Sequence, residues 1–316
     1  MKVLITGISG FAGNFMYDFL TNIKDIDIYG MYWDFNRKNN IQKKFDKAKL
    51  WEIDMINDTQ LLDNILKEVQ PDIIMHFAAY VTVIGSFKNP GPIFQTNLIG
   101  TVNLLESVRK IIPESKVLIT GSAEEYGKVP NDKLPIKEEY SLNPVSPYAL
   151  SKKFQEDIGL YYFNNYGVKV YFTRTFHTAG PKQPIGYVCT DIAKQIAEIE
   201  KGNAKSIQVG NLIAKRDFSD IRDVINAYWR IINYGKAGEI YNVCSGTSVS
   251  IQEILDRLIK YSNKTIKVEV DKDKLRPSDV PDFVGDNTNL KKIGWSQKYT
   301  LEDTLSAVLN WWRKSI

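Results

Sequence analysis

The chain has 316 residues, room for one large or two modest domains at roughly 150 residues each. Hydrophobic residues make up 43% and charged residues 25%, a globular balance that argues against a disordered or membrane protein. The net charge of +4 is too small for this length to announce a nucleic-acid partner, although anionic ligands stay open.

Cys189 and Cys244 are the two cysteines, so no disulfide framework is expected and a reducing compartment fits. With His76 and His177 as the two histidines, a zinc site would need all four scattered residues to converge, and no metal is expected. The apolar run behind Met1 is too short for a signal-peptide core. The longest apolar stretch, Ile73 to Gly85, is broken by His76 and Thr82 and falls short of a membrane span. A cytoplasmic protein is the resulting expectation.

In chain order, β-branched runs predict strands at Val3 to Thr6, Ile26 to Tyr32, Leu50 to Ile53, Ile73 to Phe77, Val117 to Thr120 and Val168 to Thr173. Between them, apolar residues at helical spacing predict helices over Thr59 to Glu68 and Ile93 to Lys110, and Pro147 opens another through Tyr162. Strand and helix in alternation predict an α/β fold with a doubly wound parallel Rossmann sheet. Beyond Gly180 a mixed α/β region follows, with a strand near Ile207, one at Tyr241 to Val243, and helices near Thr190 to Glu200, Val224 to Ile232, Ile251 to Ile259 and Leu301 to Trp312. The expected division is a dinucleotide domain over residues 1–178 plus about 215–245, and a smaller substrate domain over 179–214 and 246–316.

Directly after the first strand stands Thr6-Gly7-Ile8-Ser9-Gly10-Phe11-Ala12-Gly13. Glycines in a strand-to-helix turn let backbone approach a pyrophosphate, whose charge the free N–H groups of the helix start favour. Gly7, Gly10, Phe11, Ala12 and Gly13 are therefore candidate dinucleotide contacts. Asp34 closes the second strand, where a carboxylate can accept from both hydroxyls of an adenosine ribose and would repel a 2′-phosphate, which favours NAD over NADP. Arg37 and Lys38 nearby argue the other way. Asp54 and Met55, after the third strand, read equally as adenine contacts or as a loop acid and a core methionine. Ala78, beyond the fourth strand, joins the cofactor candidates.

Tyr148 and Lys152 are one helical turn apart and share a face. An ammonium beside a phenol favours its phenolate, so the pair can pass a proton to or from a sugar oxygen while hydride moves. Ser122 closes the fifth strand, on the carboxyl edge where such sheets bind ligands, and its hydroxyl can reach the same oxygen. Glu124 reads equally as a second proton-transfer group or a solvated loop acid, and Asn97 as an organiser of backbone near the lysine or a plain helix amide. A serine hydrolase is excluded in its usual form because the chain has no G-x-S-x-G, and His76 reads as a satisfied core histidine.

These motifs resemble the extended short-chain dehydrogenase/reductases. Gly121-Ser122-Ala123-Glu124-Glu125-Tyr126-Gly127, Gly210-Asn211-Leu212, Lys215-Arg216-Asp217-Phe218, Tyr241 to Gly246 and Arg276-Pro277-Ser278-Asp279-Val280-Pro281 resemble more narrowly the GDP-4-keto-6-deoxy-D-mannose reductases, with GDP-mannose 4,6-dehydratases as nearest cousins. The resemblance implies Tyr148 as acid/base, Lys152 on the tyrosine and the nicotinamide ribose, and Ser122 on the sugar oxygen. It further implies Lys194, Asn211, Arg216 and Arg276 around a nucleoside diphosphate, Asp279 on its ribose, and Ser86, Leu212 and His177 among the substrate contacts. Arginine forks suit phosphate oxygens.

Four departures from the family pattern stand out. His177 replaces an asparagine in the segment Arg174 to Pro181, so the sugar can differ; Ala123 replaces a hydroxyl residue; Asp279 is shorter than the usual glutamate; Asp34 stands where relatives carry arginine. The expected activity is NAD(P)-dependent hydride transfer at C4 of a GDP-linked manno-type sugar. The alternatives are an NAD-dependent 4-dehydrogenase of a GDP-hexose or GDP-heptose, a GDP-mannose 4,6-dehydratase with Glu124 taking the C5 proton, and a non-catalytic NAD-binding regulator. A homodimer is expected by resemblance alone.

Overall fold

The computed structural model describes residues 1–33, 41–271 and 281–316. Asp34, Arg37, Lys38, Arg276 and Asp279 therefore lie outside the described residues. The strands are β1 (Lys2–Thr6), β2 (Asp27–Tyr32), β3 (Ala48–Glu52), β4 (Ile73–His76), β5 (Lys116–Ser122), β6 (Lys169–Thr175), β7 (His177–Ala179), β8 (Ser206–Val209), β9 (Lys215–Asp220), β10 (Ile240–Val243), β11 (Ser248–Ser250), β12 (Lys267–Val270) and β13 (Asp282–Phe283).

The chain divides into two compact units. The first comprises Met1–Gly127, Glu139–Thr175 and Ala227–Tyr241. Its seven-stranded sheet has the order β10-β6-β5-β4-β1-β2-β3, and the pairings from β6 to β3 are all parallel. Chain order reverses between β1 and β4, and at such a switch point the carboxyl ends of the strands open a crevice. The inner strands are apolar throughout, as a sheet covered on both faces requires: Val3, Leu4, Ile5, Ile73, Ile74 and Met75 are all buried. Leu62, Ile65, Leu66, Leu104, Leu105 and Val108 from flanking helices pack with Leu4 and Ile74 on one face of the sheet.

Two local differences from the sequence expectation have clear causes. The predicted helix over Ile93 to Lys110 is three consecutive pieces: Pro90–Phe94, a π turn at Gln95–Ile99, and Gly100–Ile111. The widened turn carries Asn97, whose side chain is bonded outside the helix, and single π turns recur at functional positions. The helix that Pro147 opens runs to Tyr166, one turn beyond the expectation, and stops at Gly167, which takes a left-handed φ of 70°.

The second unit comprises Lys128–Glu138, Phe176–Asn226 and Asn242–Ile316. It holds a four-stranded sheet, β11-β9-β13 with β7 also on β9, and a pair of strands, β12 and β8. Ile192, Ile196, Ile254, Leu258, Leu305 and Leu309 form the centre of its core. Besides shifts of a few residues at 176–178 and 242–245, two segments group differently from the expected division. Lys128–Glu138 groups with the second unit because Ile136 bridges Gly285 and its carbonyl accepts from Asn242 Nδ2. The stretch 215–226 does so because β9 is the strand on which β7, β11 and β13 all pair.

Candidate active site

The glycine loop is shaped by close approaches that side chains would block. Gly7 has φ +70°, and a Cβ there would stand 2.8 Å from the Ala78 amide nitrogen. A Cβ on Gly13 would stand 2.3 Å from the Gly7 carbonyl oxygen, so glycine lets the helix Phe11–Leu20 start directly against the loop. Asn14 Nδ2 fastens the turn by donating to the carbonyls of Ser9 (2.9 Å) and Gly10 (2.7 Å). No side chain caps the helix start and no acid occupies its first turn. The amides of Phe11, Ala12 and Gly13 thus face a site suited to an anion.

This loop opens on a cavity of about 270 Å³ lined by Gly7, Gly10, Trp33, Asp54, Met55, Ala78 and Tyr80, among others. Five expected cofactor residues thus meet around one space. Asp54 also shapes its own loop, with its carboxylate accepting from the Ile56 amide (2.9 Å) and Asn57 Nδ2 (2.8 Å). Asn97 is buried: Oδ1 accepts the Tyr80 amide at 2.6 Å, and Nδ2 donates to the Tyr80 carbonyl (3.1 Å) and to Ser151 Oγ (2.9 Å). It therefore clamps a wall of the cavity to the helix that carries Tyr148 and Lys152.

His76, buried at the end of β4, is fully bonded. Thr101 Oγ1 donates to the Asn97 carbonyl (2.6 Å) and accepts from Gln155 Nε2 (2.6 Å), so toward His76 Nε2 at 3.0 Å it can only accept. Nε2 therefore carries the proton, and Nδ1 accepts from Thr6 Oγ1 at 2.8 Å, which in turn accepts the Ala78 amide. Burial, helped by the Lys152 charge, lowers the imidazole from 6.5 to about 3, so it is neutral.

Ser122 ends β5 buried, its Oγ accepting the Glu124 amide at 3.3 Å. Ser146 caps the next long helix through the Ala149 amide (3.1 Å), which sets Pro147 in the first turn with the half-buried Tyr148 beside it. One turn on, Lys152 Nζ donates to the Thr120 carbonyl at 2.9 Å. Burial brings that ammonium down to about 8. Sequence reasoning missed Glu125, Glu156 and Arg174, which lie buried close by; the Tyr148, Lys152, Glu156 spacing along one helix face is the signal that could have found the second of them.

Ser86 is buried, with its Oγ donating to the Val83 carbonyl of its own helix at 2.6 Å. In the second unit, His177 lies on β7 in register with Phe218, its ring 5.5 Å from Phe218 and 6.2 Å from Phe283. Lys194 pairs with Glu198 at 3.4 Å and lies over the Trp312 ring. Asn211 Oδ1 accepts the Ile213 amide (3.0 Å), and the Leu212 carbonyl accepts that of Gln252 (2.9 Å). Arg216 is on β9, where its Nη1 donates to the Lys215 carbonyl. The next residue, Asp217, is buried and accepts from Ser245 N, Ser245 Oγ, Gly246 N and Gly285 N, so the strand under Arg216 is firmly anchored. Burial outweighs those bonds and pushes Asp217 up to about 6.

Among the described residues no group of three or more His, Cys, Asp or Glu side chains could hold a metal ion, and no helix is long and apolar enough to cross a membrane.

A parallel sheet with a glycine loop at its switch point, a serine at the end of β5 and a Tyr-x-x-x-Lys helix tied to that strand defines an extended short-chain dehydrogenase/reductase. Within that class the chain belongs to the GDP-mannose 4,6 dehydratase family, which it matches over residues 4–308. It is 30% identical over its whole length to the GDP-6-deoxy-D-mannose reductase of Pseudomonas aeruginosa, covering 98% of that protein. It is 27% identical to the GDP-6-deoxy-D-talose 4-dehydrogenase of Aggregatibacter actinomycetemcomitans, over 93% of this chain and 91% of that one. Among solved structures, RMD from Pseudomonas aeruginosa complexed with NADPH superposes with a TM-score of 0.86 at 28% identity, covering 100% of this chain and 99% of the other.

Proposed function

We propose that this chain transfers hydride at C4 of a GDP-linked manno-type sugar, in the manner of a GDP-4-keto-6-deoxy-D-mannose reductase. The observation that carries the reading is the bond from Lys152 Nζ to the Thr120 carbonyl at 2.9 Å. It holds the Tyr148 helix against the strand that ends in Ser122, in the unit that also carries the glycine loop and its cavity.

The loop and cavity fit a dinucleotide, since a Cβ at Gly7 or Gly13 would fill the approach and the helix start offers uncapped amides. Gly7, Gly10, Phe11, Ala12 and Gly13 would hold its pyrophosphate, with Asp54, Met55 and Ala78 beside the adenine end and Asn97 behind. A bound nicotinamide supplies the hydride in the reductive direction and accepts it in the oxidative one. Ser122 Oγ donates to the carbonyl oxygen at C4, and the Tyr148 hydroxyl delivers the proton that turns it into an alcohol. The Lys152 ammonium eases that proton's departure by favouring the phenolate.

In this reading the first unit binds the dinucleotide and supplies Ser86, Ser122 and Tyr148, and the second supplies the other GDP-sugar contacts. Arg216 and Arg276 neutralise the diphosphate with Lys194 and Asn211, Asp279 takes the ribose, and Ser86, Leu212 and His177 border the substrate. Asp34 makes NAD the cofactor on sequence grounds, although the solved relative holds NADPH. The homodimer and the cytoplasmic setting belong to the same reading.

A second reading, oxidation of a GDP-hexose or GDP-heptose at C4, is favoured by Asp34 together with the likeness to a GDP-6-deoxy-D-talose 4-dehydrogenase. The test is to incubate the purified protein with GDP-4-keto-6-deoxy-D-mannose and reduced cofactor, then with GDP-6-deoxyhexoses and oxidised cofactor, identifying products by mass spectrometry. Reduction at C4, with GDP inhibiting at least about tenfold more strongly than UDP, is expected, a margin that one to two base-specific hydrogen bonds supply. Equal inhibition by GDP and UDP would remove the GDP assignment, and turnover in the oxidised arm alone would install the second reading.

A further inference from the structure

Four ionisable side chains from three elements are buried next to Ser122: Glu125 on the turn after β5, Lys152 and Glu156 on the helix Pro147–Tyr166, and Arg174 on β6. Arg174 commits its fork to Glu156, with Nη2 and Nε donating at 2.6 and 2.9 Å, and turns Nη1 to the Tyr126 hydroxyl at 3.0 Å. Glu125 is left at the margin of that guanidinium, 4.0 Å from Nε. Its Oε1 accepts the Ser122 amide at 2.6 Å, while its Oε2 is buried with no hydrogen-bond partner. Space for this carboxyl group exists because residue 121 is glycine: a Cβ there would stand 2.6 Å from Oε1.

An undonated, fully buried carboxylate oxygen is a costly place for negative charge, above all beside a second carboxylate. The charged groups facing Glu125 are Glu156 and Lys152 from the helix and Arg174 from β6. Burial and the Glu156 charge push Glu125 up to about 8 against the pull of the Ser122 amide, Arg174 and Lys152. Lys152 in turn is brought down by burial, and the Glu125 charge works in the opposite direction.

We propose that Glu125 is a positioning residue for the reaction, holding the Ser122 backbone through its carboxyl group and governing the charge on Lys152. The proposal rests on the catalytic reading given above. Below its ionisation Glu125 anchors Ser122 as a neutral acid. Once ionised, it adds a negative charge that keeps Lys152 an ammonium to higher pH than burial alone would allow.

The test uses Glu125→Gln, which keeps an oxygen for the Ser122 amide but cannot ionise. Lysines labelled with carbon-13 at Cε, with Lys152→Met assigning the signal, report the Lys152 titration in the absence of substrate and cofactor. The Lys152 midpoint is expected to fall by about half a pH unit or more in Glu125→Gln, as loss of one nearby charge requires. The alkaline limb of kcat should move down with it while KM for the sugar holds. An unmoved midpoint in folded Glu125→Gln overturns the proposal. If that variant does not fold, the wild-type signal decides: a two-step titration supports coupling to Glu125, and a single step overturns it. Lack of turnover by the wild-type protein on every GDP-sugar sinks the functional reading instead, and the titration keeps the two failures apart.

Discussion

Lys152 Nζ and the Thr120 carbonyl oxygen are 2.9 Å apart, so the buried ammonium is fixed to β5 two residues before Ser122. The bond orients the charge without neutralising it, because a carbonyl accepts a proton's hydrogen bond and carries no formal charge of its own. An ammonium held this way can bias the phenol one helical turn earlier.

The first prediction follows from that geometry. Tyr148→Phe removes the proton donor but leaves the ring to pack, so turnover should fall by roughly 100-fold or more while cofactor affinity stays within about twofold. Lys152 is charged below about 8 and loses its charge as pH rises through that value, so wild-type turnover should decline above it. Steady-state rates across pH, with cofactor titrations by fluorescence, check both; a Tyr148→Phe protein keeping a tenth of the wild-type rate would overturn the assignment.

A second prediction concerns Gly13→Ala. Its Cβ would be 2.3 Å from the Gly7 carbonyl and 2.6 Å from Ile8 Cα, both backbone atoms that cannot step aside. The helix start must shift, at a cost of about 2 kcal/mol in stability and at least a tenfold loss of dinucleotide affinity. Denaturant unfolding and calorimetric titration measure the two. Unchanged affinity would mean that the helix start does not touch the cofactor.

Much of this was legible in advance. The apolar runs of β1 and β4 and the glycine spacing declare a covered parallel sheet, because such strands have few other places to be buried. The helix of Tyr148 was marked by Pro147 and by one-face spacing. The π turn at Gln95–Ile99 was not legible, since its cause is the long-range bonding of Asn97 to Tyr80 and Ser151, which leaves no periodic trace in the sequence. The strands β7, β9, β11, β12 and β13 escaped for a related reason: they gain their order from partners far along the chain. Glu125 and Arg174 were hidden because a buried charge looks like a surface charge until its partner is known.

His76 supplies a third prediction, about acid stability. Its folded value is lowered to about 3 from the ordinary 6.5, so between those values the unfolded chain binds a proton that the native protein refuses. Stability contributed this way is present above pH 6.5 and is lost as pH falls toward 3, by roughly 3 kcal/mol at about pH 4. In His76→Gln that proton uptake is gone. The stability gap between wild type and variant, measured by urea unfolding, should therefore narrow by that amount from neutral to acid pH; a gap that stays constant would show that the imidazole is not held neutral.

The last prediction rests on Asp34, which is outside the described residues and is argued from sequence alone. In this architecture an acid that follows the second strand in sequence reads the adenosine ribose of a dinucleotide, where it would accept two hydrogen bonds from the free hydroxyls of NAD. A 2′-phosphate would meet it with like charge, giving a preference for NAD of about 1–3 kcal/mol, roughly tenfold to a hundredfold. Arg37 and Lys38 could offset that repulsion by folding over the phosphate, and the solved relative with NADPH shows that a protein of this fold accommodates it. The decisive variant is Asp34→Ala. If Asp34 reads the ribose, wild type should favour NADH in kcat/KM by at least tenfold, and the substitution should erase most of that margin by weakening NADH and improving NADPH. A wild type that prefers NADPH, with a preference untouched by Asp34→Ala, would assign cofactor choice to Arg37 and Lys38 and would also remove the main sequence argument for an oxidative physiological direction.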